Sequence, residues 1–569
     1  MFHSQNILGS DTGSPMTDVK FKNGFQKLDF ESREGMNDKC CLITFLITVF
    51  LGLVMLIVIC SIGKPNELLE ISVLNGYPDN DIMHESGDFM SINQVEKDKQ
   101  LGQFVSIQYN ADGTVSDVIG DYFTRFCNDF ITHIWMMFVL AIIALVLGFG
   151  YIILLKYYVK QLVWISIILG ITLIFLIGAA LIVVGVMLLK YETWKVTGYG
   201  IIAAGAIILI IGLIAILVIY LSRFQIRLGV QLMKEACNAL RAMPFLPICT
   251  AVLNLFEIIC FGFFVLLIIY SLGITTEKNF YGIKIKTPSN TSYYLIAVGS
   301  VIYTWIVLFA TGCNQNIIAG AAASWYFVHK EDGDALENWP ILSTIKRNFL
   351  HHLGSIAAGS LIITIVNTLK RISEWATKKA RKSCCCVMLL SCCCLCIMKC
   401  LERIIARVTE NAYIIMQIKG ENFWQSTKQA IYLMLRSFYQ IIVLDKVMGI
   451  ISCIGTMFIF IFILFFSFLI IRPDFFKIAD SSSDYIPSLS WWLLILLSVI
   501  IGLIIMSILI DAFSFTVKSI FVCYFIDKEM YAAHGQLSQN ANASQAGFGP
   551  GEKIMKSDGN IEMNIIKEG

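Results

Sequence analysis

Charge is scarce in this chain. Only 15% of its 569 residues are Asp, Glu, Lys or Arg, where soluble proteins carry about a quarter, which is too little to coat a soluble surface of this size. A formal net charge of +2 leaves no concentrated basic face, which sets nucleic acid aside as a partner. Seven histidines, none in an HxxH arrangement, offer no ligand set for metal catalysis. No GxGxxG, P-loop or Walker-type lysine occurs, so an ATP-driven pump has no signature here and no cofactor is implied.

Apolar residues are abundant, at 57% of the chain with a mean hydropathy of +0.72. Nine stretches have the roughly 20 apolar residues that a membrane helix needs: 40–62, 131–155, 161–189, 199–222, 244–272, 293–328, 350–369, 447–471 and 489–510. Eight of the nine contain no charged residue, and the exception, 244–272, holds Glu257. A β-barrel would show shorter, alternating segments. The fold class is therefore an all-α polytopic membrane protein. The first run lies behind a polar segment, is long for a signal peptide and lacks a cleavage site, so it reads as a retained helix.

Basic residues in short loops set the orientation. The expected turn at 156–160 carries two lysines and no acid, and 223–243 carries four bases against Glu235. The stretch 370–409 holds nine bases and two acids, whereas the loop 63–130 holds twelve acids and four bases. The loop is thus external and the N-terminus cytoplasmic. Parity then demands an eighth crossing. Either the 36-residue run 293–328 is two broken spans divided near 312–315, or 383–398 crosses, although its 16 residues reach only about 24 Å. The expectation is about ten crossings with both termini cytoplasmic.

The resulting order is a cytoplasmic tail (1–39), a first membrane helix (40–62), an extracellular loop (63–130) and a bundle (131–369). A cytoplasmic-side Cys-rich and amphipathic segment that can hold the extra crossing follows (370–446), then the final helices (447–518) and a largely disordered cytoplasmic tail (519–569). The first 38 residues and those from Gly535 onward read as disordered. Alternation at 104–109 before Asp112-Gly113 suggests a small hairpin. Asn290-Thr291-Ser292 lies in an external loop and is a glycosylation acceptor, while the sequon at Asn542 is internal and silent.

Of 18 cysteines, eight lie between Cys384 and Cys400, and the external loops supply only Cys127, with Cys60 near a membrane edge. No disulfide framework follows, and the cluster lacks the paired CxxC spacing of a zinc site. Beside the basic residues 378–382, Cys384, Cys385, Cys386, Cys392, Cys393 and Cys394 suit either S-palmitoylation or an unmodified packing surface of small residues.

A charge deep in a bilayer is costly and is a functional hypothesis by default. Glu257 can attract a cationic solute, carry a coupled proton or simply bond a neighbouring helix. Asp511 is expected to snorkel or pair with Lys518. Trp305, Trp325 and Tyr326 flank a polar knot of Asn314, Gln315 and Asn316. Aromatic faces attract quaternary ammonium groups at about 0.5–2 kcal/mol each, although such residues also form interfacial belts, as Trp491 and Trp492 do. The neighbourhood of a solute path is accordingly placed at Trp305, Gln315, Ser324, Trp325 and Tyr326, with Glu257 as charge partner. The small residues 319–324 allow close helix approach, and His351 and His352 begin a helix.

Three segments carry a resemblance: IIAGAAASWYFVHKED (317–332), PILSTIKRNFLHHLGSIAAGSLI (340–362) and NAYIIMQIKGENFWQSTKQAIYLMLRSFYQIIVLDKV (411–447). Together they resemble the choline-transporter-like family, solute carrier family 44. Arg347, His352, Gly354 and Ser355 fit its RxxxxHxGS signature. Asn411 and Tyr413 fit NAYI, Gly420 and Asn422 fit GxNF, and Asp445 and Lys446 fit VLDKV. Two departures stand out: a short first external loop poor in cysteine, and Lys518 where the family segment usually has an acid. The resemblance implies ATP-independent transport of choline, ethanolamine or a related small organic cation, driven by membrane potential or proton exchange. It also implies a multi-pass protein of the plasma membrane, with an organellar membrane as the other placement, and lipids as its surroundings. The alternative is a membrane scaffold or channel that shares the fold without choline transport. A lipid-handling enzyme is weaker still, because no nucleophile–base pair is apparent. Nothing in the sequence fixes an oligomeric state.

Overall fold

The computed structural model describes residues 21–22, 27–28, 38–63, 115–191, 194–280, 283–327, 340–380, 385–471 and 488–538. The hairpin expected at 104–109, Cys384, the sequon at Asn542 and most of both tails lie outside the described residues. Twelve α-helices and two small antiparallel ladders, β1 (Phe21–Lys22) with β2 (Lys27–Leu28) and β3 (Thr275–Phe280) with β4 (Ile283–Pro288), make up the described fold. Eight helices are long and apolar enough to cross a membrane, and the chain is an integral, multi-pass membrane protein.

Helix α1 (Lys39–Ile62) runs from Asp38 to Gly63. Helix α2 (Val115–Leu188) is continuous over 74 residues, about 110 Å at 1.5 Å per residue. The turn expected at 156–160 does not form. No Gly or Pro interrupts the stretch, and Val159 and Val163 are fully buried in the core. The C-terminal half of α2 pairs with α3 (Lys195–Leu221). A Cβ on Gly185 or Gly205 would meet the carbonyl of Gly198 or Gly178, so glycine lets the two backbones approach closely.

The basic segment after α3 is an amphipathic helix, α4 (Arg223–Ala242), which buries Ile226, Leu232, Met233, Ala236 and Leu240. Helix α5 (Leu246–Leu272) and α6 (Asn290–Tyr326) are antiparallel: Ser292 Oγ donates to the Ile274 carbonyl at one end, and Thr311 meets Glu257 further along. Helix α6 is a single unbroken element of 37 residues, so the two-span reading of 293–328 is overturned. No proline stands in 312–315 to force a break.

Helices α7 (Pro340–Arg347) and α8 (Leu353–Ala380) are joined by a π-helical turn, Asn348–His352. His351 and His352 therefore sit inside a helical run and do not begin one. Helix α9 (Cys385–Lys419) is 35 residues long, about 52 Å. It lies antiparallel along α8, because Thr377 reaches Ser391, Lys370 reaches Glu402 and Tyr413 reaches Ile356. Helix α10 (Phe423–Arg436) is short, and α11 (Phe438–Ile471) and α12 (Ser488–Ser538) complete the bundle. Helix α12 carries the chain through Ser538, past the Gly535 where disorder was expected.

The main core gathers the Tyr326 end of α6, the start of α8, the end of α9, α4, α10 and the distal half of α12. Large apolar side chains elsewhere on α1, α2, α3, α5 and α11 point outward, as they do on helices whose solvent is lipid.

Candidate functional site

Helices α5, α6 and α12 line an open cavity of about 470 Å³, within the size range of small-molecule sites. Asn254, Glu257, Ile258 and Phe261 line it from α5, Tyr303 and Val307 from α6, and Ile500, Leu503, Ile504, Ser507 and Ile508 from α12. Asn254, Glu257, Ile258 and Phe261 fall at helical spacing, so one turn-by-turn face of α5 supplies them all. The walls are mostly apolar, and a few polar groups, Asn254, Glu257 and Ser507, converge on the space.

Glu257 Oε1 accepts a hydrogen bond from Thr311 Oγ1 at 2.9 Å, which fixes the carboxylate against α6. Asn254 Nδ2 is engaged by the Thr250 carbonyl at 2.9 Å, leaving its oxygen as the acceptor that can face a ligand. The Tyr303 ring stacks on Phe264, with centroids 4.6 Å apart and planes at 5°, and meets Phe261 at 6.2 Å. Ser507 hydrogen-bonds Asp511 one turn along α12, and Asp511 lies within electrostatic reach of Glu257. One acid, an aromatic pair and apolar walls suit a weakly hydrated organic cation: the carboxylate balances charge, and the rings accept the N-methyl surface.

The residues expected along a solute path divide between two regions. Glu257 lies on the cavity. Trp305, two residues from Tyr303 and so nearly opposite it on α6, faces α1 and α8. It is edge-on to Phe45 at 5.4 Å, and its Nε1 donates to Ser360 Oγ at 3.2 Å. Gln315 is partly buried, and Ser324, Trp325 and Tyr326 are buried at the far end of α6. Ser324 Oγ donates to the Gly320 carbonyl at 2.8 Å, and the Tyr326 hydroxyl donates to Asp527 Oδ2 at 3.1 Å. Tyr326 is 15 residues beyond Thr311, about 22 Å along the axis, so these side chains do not share the cavity. Asp511 is not ion-paired with Lys518 as expected. Lys518 Nζ is 2.6 Å from Glu410 Oε2 instead, because α9 brings an acid closer than the α12 spacing can.

The motif residues of the resemblance meet near the Tyr326 end. Gly320 packs so tightly that a Cβ would stand 2.4 Å from Thr344 and 3.2 Å from Arg347. Arg347 donates to Thr344 Oγ1 at 3.0 Å, and buried His352 lies in the π turn that follows. Ser355 Oγ donates to Asp38 Oδ2 at 2.6 Å, and the same oxygen accepts from the Phe423 N–H at 3.2 Å, so the start of α1 is tied to α8 and α10. Gly354 is buried beside Ser355, and Asn411 is buried two residues before Tyr413 on α9. Gly420 has φ 74°, the left-handed region that glycine favours, and its N–H closes α9 on the Met416 carbonyl. Asn422 caps α10 through the Gln425 N–H at 3.0 Å. Asp445 pairs with Arg407 at 2.9 Å, and Lys446 follows it on α11.

Asn290 is exposed in the first turn of α6, next to Ser289, whose hydroxyl caps that helix. Cys385 and Cys386 open α9, and Cys392, Cys393 and Cys394 are exposed on it. Among the described residues no group of three or more His, Cys, Asp or Glu is placed to hold a metal ion.

Sequence reasoning passed over Asn254, Phe261, Tyr303 and Ser507. The first two were within reach, at three residues before and four after Glu257. Tyr303 and Ser507 arrive from other helices, and no local pattern marks them.

Residues 206–529, more than half of the chain and the whole of the cavity, match the family described as plasma-membrane choline transporter. The chain is similar to choline transporter-like protein 2 of Danio rerio, 27% identical over 368 residues that make up 57% of this chain and 51% of that protein. It is also similar to choline transporter-like protein 5-A of Danio rerio, 30% identical over 238 residues, 40% of this chain and 32% of that one. A third relative, choline transporter-like protein 4 of Homo sapiens, is 26% identical over 390 residues, 59% of this chain and 52% of that one. The chain spans about half or less of the length of these relatives.

Proposed function

The chain belongs to the family of plasma-membrane choline transporters, and we propose that it moves choline or a closely related organic cation across that membrane without ATP. The observation that carries this reading is the cavity between α5, α6 and α12, where Glu257 shares an apolar space with Phe261 and Tyr303. A quaternary amine has no N–H to satisfy, so a wall of one carboxylate, aromatic rings and aliphatic side chains suits it better than it suits a primary ammonium. Ethanolamine, which asks for hydrogen-bond acceptors, is the poorer substrate on the same grounds. An inside-negative potential contributes about 2.3 kcal/mol per 100 mV to a single cation, about 50-fold accumulation, and no further coupling is required.

Nine of the described helical rods are available to cross the membrane, one fewer than the ten crossings expected. Helix α2, an unbroken rod, crosses once despite its 74 residues, as α1, α3, α5, α6, α7–α8, α9, α11 and α12 each do. The antiparallel run of α9 along α8 supports α9 as the hidden crossing, and one of the charges that kept its hydropathy low, Glu402, is met there by Lys370 at 2.5 Å. Trp305 and the Ser324–Trp325–Tyr326 end of α6 serve this reading by fixing α6 against α1, α8 and α12.

Uptake of labelled choline into proteoliposomes with an imposed inside-negative potential tests the proposal. Saturable uptake that collapses with the potential and is suppressed by excess unlabelled choline is expected. Uptake no greater than in empty liposomes, from protein shown to be folded, overturns it in favour of a scaffold or channel.

A further inference from the structure

Beyond the cavity, α12 carries a polar stripe. Asp511, Ser514 and Lys518 follow Ser507 by four, seven and eleven residues, multiples of the helical period that place all four near one angular position. These positions are exposed or partly exposed, while Ala512, Phe513, Phe515, Thr516 and Val517 between them are buried. An acid and a base held in hydrocarbon are each costly, so a face that presents both is a wetted one. The stripe is also electrically continuous. Asp511 interacts with Glu257 on one side and with Lys518 on the other. At its end Lys518 is paired with Glu410 at 2.6 Å, beside the Arg407–Asp445 pair at 2.9 Å.

We propose that a cation released from the Glu257 cavity leaves toward the cytoplasmic side along this stripe, that Asp511 receives it, and that Glu410 neutralises Lys518 so that the cation can pass. This rests on the cation-transport reading above. The rise along α12 is about 6 Å from Ser507 to Asp511 and about 10 Å from there to Lys518. A cation leaving Glu257 thus meets a second carboxylate one turn away, before it meets a base. Unpaired, that base would repel it at close range. Paired with Glu410, it presents no net charge.

The test compares labelled-choline binding with turnover in proteoliposomes for D511N, E410Q, K518Q and the E410Q/K518Q double variant. D511N is expected to bind choline within about threefold of the unmodified protein and to turn over about tenfold more slowly. E410Q is expected to lose turnover similarly, K518Q to gain about twofold, and the double variant to recover. An ion pair that only braces α9 against α12 predicts equal losses in both single variants, and that outcome overturns the proposal. Unchanged turnover in D511N overturns it too. Failure of the unmodified protein to carry choline removes the transport function and this route with it, whereas the variant outcomes in a protein that does carry choline bear on the route alone.

Discussion

Glu257→Gln removes one charge from the cavity and little else. The amide oxygen still accepts from Thr311, the side-chain volume is nearly unchanged, and the walls formed by Phe261, Tyr303 and Ser507 are untouched. A carboxylate about 4 Å from a quaternary nitrogen attracts it by about 4 kcal/mol at an effective dielectric of about 20. Glu257 is only half-buried, and drying both charges takes back part of that attraction. About 2 kcal/mol remains, or roughly 30-fold in affinity. Potential-driven choline uptake by the variant should therefore show a KM about 30-fold higher, and Glu257→Asp should recover part of the loss. Thr311→Val, which frees the carboxylate without discharging it, should move KM by less than about fivefold. A Glu257→Gln variant that is folded and transports with a KM within about twofold of the unmodified protein would refute the assignment of Glu257 as the counter-charge.

Other consequences are more local. Tyr303→Leu removes a cation–π face and its stacking on Phe264, and should raise the choline KM about 5- to 30-fold, measured by the same uptake assay. Gly420→Ala forces a side chain into the left-handed turn between α9 and α10, and should cost about 1–2 kcal/mol, seen as a lower unfolding temperature in detergent. Gly359→Ala would place a Cβ 2.5 Å from the Tyr413 hydroxyl, and the resulting overpacking should cost about 1–3 kcal/mol by the same measure. An epitope inserted between residues 381 and 384 should be stained on intact cells if α9 crosses the membrane. Staining only after permeabilisation would place that turn inside.

The membrane helices could be read from the sequence because hydrocarbon demands long apolar runs: α1 and α5 lie within two residues of those runs, while α11 begins nine residues before its own. The failures have equally physical origins. Two lysines at 156 and 160 suggest a turn, yet lysine is a good helix former, and only Gly, Pro or an unpaired polar cluster would have stopped α2 there. Helix α9 escaped the hydropathy criterion because it carries Lys399, Glu402, Arg403, Arg407 and Glu410, of which Glu402, Arg407 and Glu410 find partners on α8, α11 and α12. The stretch 312–315 reads as a place where α6 could divide. Asn and Gln tolerate a helix interior, though, and the element passes straight through.

The site was half legible. A lone acid in an apolar run marks itself, so Glu257 stood out. The sequence reading pairs it with Trp305, but that side chain lies two residues from Tyr303, on the opposite face, where Ser360 and Phe45 hold it. Tyr303 is the aromatic that shares the cavity, and only the pairing of α5 with α6 selects it. The motif residues Gly420 and Asn422 have a plain reading that spacing alone did not supply: one ends α9 and the other starts α10.

The most direct measurement is photolabelling of the reconstituted protein with a diazirine-bearing quaternary ammonium, followed by mapping of the labelled peptides. The label is expected on the stretches of α5, α6 and α12 that carry Phe261, Tyr303 and Ser507, and excess choline should suppress it. Choline-sensitive label at Trp305 or at the Ser324–Tyr326 end, with none on the cavity walls, would contradict the placement of the site.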